Sequence, residues 1–123
     1  MKLACIVAAA AFAPVLAAAD FAGTWKLDNT FNGAVTAIHC TIEQKGNALT
    51  GSCKPDVPGM GAEKLSGTVT GSNTKWGYDL VFNGKPARVD FEVTLAVDGS
   101  MTGNLLRNGA GSPIKGARQP PPK

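Results

Sequence analysis

His39-Cys40-Thr41-Ile42-Glu43-Gln44-Lys45-Gly46-Asn47-Ala48-Leu49-Thr50-Gly51-Ser52-Cys53 contains the only histidine and two of the three cysteines of this 123-residue chain. Three readings compete for the stretch: a metal site, a thiol active site, or a covalent staple. Before Gly46-Asn47 the apolar Cys40 and Ile42 alternate with polar residues, and after it Leu49 and Cys53 do the same, which is the pattern of two half-buried strands joined by a tight turn. A two-residue turn at Gly46-Asn47 sets Ile42 opposite Gly51 and Cys40 opposite Cys53. Counting out from the turn makes the cysteines a non-hydrogen-bonded pair, whose Cα atoms approach to about 4.5 Å, within disulfide reach. Alternation turns His39 to the face opposite both sulfurs, and the three or four ligands of a zinc site are not in view. The stretch therefore reads as a hairpin stapled by a Cys40–Cys53 disulfide, with no metal expected.

Outward from this hairpin, Asn32-Gly33, Asn83-Gly84 and Asp98-Gly99 punctuate further alternating runs, and helical spacing is not sustained anywhere after Asp20. Each turn implies a register. Asn32-Gly33 pairs Leu27 with Ile38 and Trp25 with Cys40; Asn83-Gly84 pairs Leu80 with Ala87, Tyr78 with Val89 and Trp76 with Phe91. A three-residue loop closed by Gly99 in the left-handed region pairs Leu95 with Met101 and Phe91 with Leu105. A four-residue loop at Gly71-Ser72-Asn73-Thr74 pairs Val69 with Trp76, Gly67 with Tyr78 and Leu65 with Leu80. All the apolar members fall on one face, and Cys40, Trp76 and Phe91 alternate correctly between hydrogen-bonded and non-hydrogen-bonded pairs on their two sides.

The expectation is an all-β chain of eight short strands, near 22–31, 34–45, 48–54, 64–70, 75–82, 85–96, 100–107 and 113–118. Residues 55–63 form the one long connection. Glycines at Gly51, Gly67 and Gly103, where the apolar face would be crowded, favour an eight-stranded antiparallel up-and-down barrel over a flat two-sheet sandwich.

The start of the chain has a different character. Lys2 precedes an apolar run from Leu3 to Ala19 that ends in Ala17-Ala18-Ala19 before Asp20, the charged start, apolar middle and small-residue exit of a secretory signal peptide. The expected organisation is a signal peptide over 1–19, a single barrel domain over 20–118 and a proline-rich C-terminal tail over 119–123. Cleavage removes Cys5 and leaves Cys40 and Cys53 as an even pair, as in disulfide-bearing exported proteins. Localisation is expected to be secreted or periplasmic, with no membrane span after cleavage. The formal charge of +3 is scattered along the chain, which gives no case for nucleic acid.

With the strands placed, Gly23-Thr24-Trp25 opens strand one and Arg118 ends strand eight, with Trp25 and Arg118 both inward. This resembles the calycin superfamily of lipocalins, fatty-acid-binding proteins and avidins, in which an early Gly-x-Trp meets a late basic residue across the closed end of the barrel. The layout is most similar to the avidins and streptavidins. Leu49-Thr50-Gly51 before the long loop, Leu65-Ser66-Gly67-Thr68 after it, and Gly77-Tyr78-Asp79-Leu80-Val81-Phe82-Asn83 carry that likeness across roughly residues 23–83. Biotin-reading positions are mostly unmatched: Leu27 stands where avidins have an Asn, Cys53 where streptavidin has a Tyr, and Phe82 at the tryptophan that walls the pocket. Asn29-Thr30 offers a substitute polar contact from strand one. Gly23-Thr24-Trp25-Lys26-Leu27 followed by His39-Cys40-Thr41-Ile42 also resembles bacterial periplasmic metalloprotease inhibitors, small disulfide-bearing barrels that present an N-terminal arm to their target. Only Asp20-Phe21-Ala22 would form such an arm here.

No nucleophile elbow, phosphate loop or paired acid and base is present, so no catalytic residues and no cofactor are expected and the chain reads as a non-enzyme. Asp79, Asp90, Lys75, Arg88 and Glu92 alternate with inward aromatics and so face solvent. Trp76, Tyr78, Phe82 and Phe91 form an inward aromatic band, the candidate ligand wall, with Gly67 facing Tyr78 and Gly103 near Phe91. Residues 55–63 would act as a lid, with Tyr78 the internal polar contact. The expected partner is a small apolar or amphipathic molecule. The alternatives are a protein partner, as for a periplasmic protease inhibitor, or a stable envelope protein with no pocket.

Overall fold

The computed structural model describes residues 19–120. The expected signal peptide and the end of the proline-rich tail lie outside the described residues, apart from Ala19, Gln119 and Pro120. Eight strands follow one another in order: β1 (Gly23–Phe31), β2 (Ala34–Lys45), β3 (Ala48–Pro55), β4 (Glu63–Thr70), β5 (Asn73–Phe82), β6 (Lys85–Leu95), β7 (Met101–Arg107) and β8 (Ala110–Gln119). Each pairs antiparallel with the next, and β8 returns to β1 to close the barrel. Closure satisfies both edges of the sheet, so no strand is left with a row of unpaired backbone groups.

The turns set the register, and each does so through its backbone. Asn32-Gly33 and Asn83-Gly84 have positive φ at both central residues (51° and 78°, 53° and 76°), the condition of the type I′ hairpin turn whose twist matches the strands. They place Leu27 opposite Ile38, Trp25 opposite Cys40, Tyr78 opposite Val89 and Trp76 opposite Phe91. Between β6 and β7, Gly99 sits at φ 89° and its N–H donates to the Ala96 carbonyl at 3.0 Å. That three-residue loop pairs Leu95 with Met101 and Phe91 with Leu105.

Two sequence expectations are corrected. The β4–β5 connection is a two-residue turn at Gly71-Ser72, not a four-residue loop, so Val69 pairs with Thr74 and Gly67 with Trp76 instead of Tyr78. Only the first central residue, Gly71 at φ 63°, is positive, as in a type II′ turn. The two registers differ by two residues and keep the same face inward, so apolar alternation cannot separate them. The register adopted buries Thr74, and its Oγ1 donates to the Thr68 carbonyl at 2.6 Å. Likewise β8 begins at Ala110, not near 113, because Asn108-Gly109 is another type I′ turn (φ 48° and 89°). Pro113, which argues against a central strand, sits just past the last β1–β8 pair, Asn29↔Ile114, and its carbonyl accepts from Asn29 Nδ2 at 3.0 Å.

Inward side chains from all eight strands make one core, with Trp25, Leu27, Cys40, Cys53, Phe91 and Met101 fully buried. Three glycines on that face leave room for large neighbours. A Cβ on Gly67 would collide with the Lys75 carbonyl and with Trp76, one on Gly103 with the Glu92 carbonyl and Val93, and one on Gly116 with Leu27 and Met101. Cys40 and Cys53 are opposite one another, with Cα atoms 4.0 Å apart, and are joined by a disulfide. A bridge of this kind belongs to an oxidising, non-cytoplasmic environment.

Two outcomes follow for the protein expressed from Ala19 into an oxidising compartment. Thiol labelling finds no free cysteine without reductant, and Cys40→Ser with Cys53→Ser lowers the unfolding free energy by about 2–3 kcal/mol in urea titration; two reactive thiols in the unreduced protein would contradict the assignment. Gly103→Ala, which sets a methyl against the β6 backbone, destabilises by about 1–3 kcal/mol, whereas Gly33→Ala, in open space, costs only its left-handed φ, about 1 kcal/mol.

Candidate functional site

The two ends of the barrel differ. At one, residues 19–22 cross beneath the sheet and are tied down at each step. Ala19 N–H donates to the Gly71 carbonyl at 2.9 Å, Gln44 Nε2 to the Ala19 carbonyl at 2.9 Å, and Phe21 N–H to Gln44 Oε1 at 2.7 Å. The Phe21 side chain is fully buried, and its carbonyl accepts from Trp25 Nε1 at 2.9 Å. Arg118 lies opposite Trp25 across the β1–β8 seam, its Cζ 4.5 Å from the indole centroid, while Nη2 donates to the Asp20 carbonyl at 2.7 Å. The guanidinium stacks on the ring yet stays exposed, so the end is covered without burying a charge.

The opposite end carries the β1–β2, β5–β6 and β7–β8 turns and the 56–62 loop, and it opens on a cavity of about 520 Å³. Small-molecule sites span about 300–1,000 Å³, so the space suits one small ligand. Its deeper surface is apolar, from Ile38, Leu80, Val89 and Leu105. Among the inward positions nearer the mouth, Ala34 and Thr36 on β2 and Ala87 on β6 are small, and space remains beside them. Pro55, Val57 and Met60, from the stretch 55–63, line one side. The stem of that loop is fixed from outside, where Asp56 N–H donates to the Ala37 carbonyl at 2.8 Å and the Asp56 carboxylate meets His39 Nε2 at 3.1 Å.

Two polar side chains reach the cavity from buried positions. Asn29 Nδ2 donates to Ser112 Oγ at 2.8 Å as well as to the Pro113 carbonyl. Tyr78, the only tyrosine, is 3 % exposed, and burial pushes its phenol up to about 12, with Glu63 adding to the shift and Arg107 opposing it.

Of the four aromatic residues expected to wall a ligand, three have described side chains, and of those the structure brings only Tyr78 to the cavity. Trp76 and Phe91 stack on each other at 5.0 Å, with planes 16° apart, and belong to the packed core below it. Trp76 Nε1 is buried there without a hydrogen-bond partner among the described residues. Phe82 pairs with Lys85 through the backbone at the end of β5; its side chain lies outside what is described. The cavity draws on β1 and β2 as well as β5 to β7, and not on β4. Sequence reasoning looked for large rings, whereas space persists where inward residues are small, a signal present in Ala34, Thr36 and Ala87.

The remaining expected sites are exterior or structural. Arg88 pairs with Asp90 at 2.9 Å and Asp79 at 3.5 Å, and Lys75 with Glu92 at 4.0 Å. Hydrogen bonding to Asp90 is the main cause that raises the Arg88 pKa. Among the described residues no three His, Cys, Asp or Glu side chains converge as metal ligands.

Because the folded Tyr78 holds its proton more tightly than an unfolded tyrosine at about 10, stability is full below pH 10 and declines as pH rises through the folded value of about 12. Near-ultraviolet titration is expected to show no phenolate at about pH 10.5 in the folded protein and a normal transition in urea; ionisation at the ordinary value while folded would show that the phenol is solvated. Compared with known proteins, the chain matches no family model, no curated protein sequence and no solved structure.

Proposed function

We propose that this protein is a secreted or periplasmic, non-enzymatic barrel that carries a small apolar or amphipathic molecule in the cavity at its open end. The observation that carries this reading is the asymmetry of the barrel: a strapped and filled end beneath Phe21 and Trp25, and an apolar cavity of about 520 Å³ opening at the other. A ligand that fills an apolar cavity of this size gains dispersion contacts with its walls and withdraws their apolar surface from water. The disulfide and the signal-like run over 1–19 support export. A relationship to the calycins is also proposed, supported by the closed eight-strand barrel and by Arg118 stacked on Trp25.

A protein-binding role is the second reading, favoured by Phe31, Val35 and Val81, which are more than half exposed near the β1–β2 and β5–β6 turns. An inhibitor acting through Asp20-Phe21-Ala22 is less well supported, because those residues are held against the barrel.

The uncharged probe N-phenyl-1-naphthylamine is expected to bind one per barrel with enhanced emission. Ala87→Trp, which fills the cavity near its mouth, should weaken that binding at least about tenfold, the loss of most of one ring's apolar contact, while leaving the circular-dichroism spectrum unchanged. Equal binding to parent and variant would place the probe elsewhere and sink the carrier reading.

A further inference from the structure

The mouth of the cavity carries charge of one sign. Lys85, the first residue of β6, and Arg107, the last of β7, both line it, and among the described residues no carboxylate does. Neither pairs with a carboxylate among the described residues, whereas Lys26, Lys75 and Arg88 on the outer face each have an acidic neighbour. Other unpaired lysines, Lys54, Lys64 and Lys115, stand on outward-facing positions where water solvates them. Lys85 and Arg107 share instead the inward-facing parity of Ala87, Val89 and Leu105, so the alternation that builds the apolar interior ends in a cation on two adjacent strands. Arg107 is also oriented, its Cζ lying 5.8 Å from the Phe31 ring centroid across the mouth. Glu63 acts on Tyr78 from the start of β4 but does not line the cavity.

We propose that the cavity selects an anionic amphiphile, with its carboxylate or other oxyanion head between Arg107 and Lys85 and its apolar body against Ile38, Val89 and Leu105. This deepens the carrier reading and rests on it. An apolar body gains from leaving water whatever its head, so the body alone does not discriminate. The head decides the choice: an oxyanion takes charge-assisted hydrogen bonds from a guanidinium, a hydroxyl makes weaker ones, and an ammonium is repelled. Because both cations sit at the surface, the selectivity falls with added salt.

Competition against N-phenyl-1-naphthylamine at low ionic strength, with laurate, 1-dodecanol and dodecyltrimethylammonium as competitors, tests this. The readout is the ratio of laurate to dodecanol affinity within each protein, so any shared loss of packing or stability cancels. The parent is expected to favour laurate by about tenfold and to take the ammonium most weakly. Arg107→Gln with Lys85→Gln should bring laurate and dodecanol to within about twofold, and high salt should move the parent the same way. Equal affinities in the parent, or a preference that survives the double substitution, would overturn the assignment and leave the carrier reading standing. Failure of the probe to bind the parent at all would overturn the carrier reading, and the head-group assignment with it.

Discussion

The seam between β1 and β8, from Thr24↔Gln119 to Asn29↔Ile114, is the pairing that separates a barrel from a curled sheet with two edges. Residues from opposite ends of the chain meet there, so the loop-closure entropy of nearly the whole domain stands against it. Specific contacts concentrate at its two ends. Arg118 stacks on Trp25 and reaches the Asp20 carbonyl at one end; at the other, Asn29 is bonded to Ser112 and Pro113. Between them Gly116 admits Leu27 and Met101 to the same layer of the core. Without this seam the inward face would have neither a sealed end nor an enclosed volume.

The barrel is filled unevenly, and side-chain size explains where. Toward the strapped end the inward positions hold Phe21, Trp25, Trp76, Phe91 and Met101, and glycines opposite make room for them. Toward the open end Ala34, Thr36 and Ala87 are small, and the larger Phe31, Lys85 and Arg107 stand at the strand ends around the mouth. A strand's alternation fixes which face is inward, but the volume at each level is a sum over all eight strands. The cavity is therefore a property of a level in the barrel, not of any one motif.

This bears on what was legible from sequence. The Asn-Gly turns and the Gly99-closed loop carry their geometry in residues that tolerate positive φ, so strands, pairings and the disulfide could be read directly. Gly71-Ser72 was ambiguous because two registers bury the same face, and the choice lay with Thr74, whose hydroxyl finds a local carbonyl and so tolerates burial. Asn108-Gly109 carries the same signal as its counterparts, and taken as a turn it starts the last strand at Ala110 instead of near 113. For the site, Tyr78 was legible as a buried polar tip, while Trp76 and Phe91 were misplaced because a ring on the inner face says nothing about the level at which packing runs out. Arg107 and Lys85 drew no reading from the sequence, since only parity combined with position at the mouth distinguishes them.

Phe21 gives the strapped end a further meaning. Its ring and backbone, together with the Ala19 and Asp20 carbonyls, form the base of the interior although they precede the first strand. The cover of that end is thus supplied by a short leader to the sheet and not by the sheet itself. A chain beginning at Gly23 would retain every ladder of the barrel but lose that cover, and the Trp25 indole, which donates to the Phe21 carbonyl, would meet water from below. Where the N-terminus is trimmed therefore determines whether the lowest layer of the core is capped or wetted.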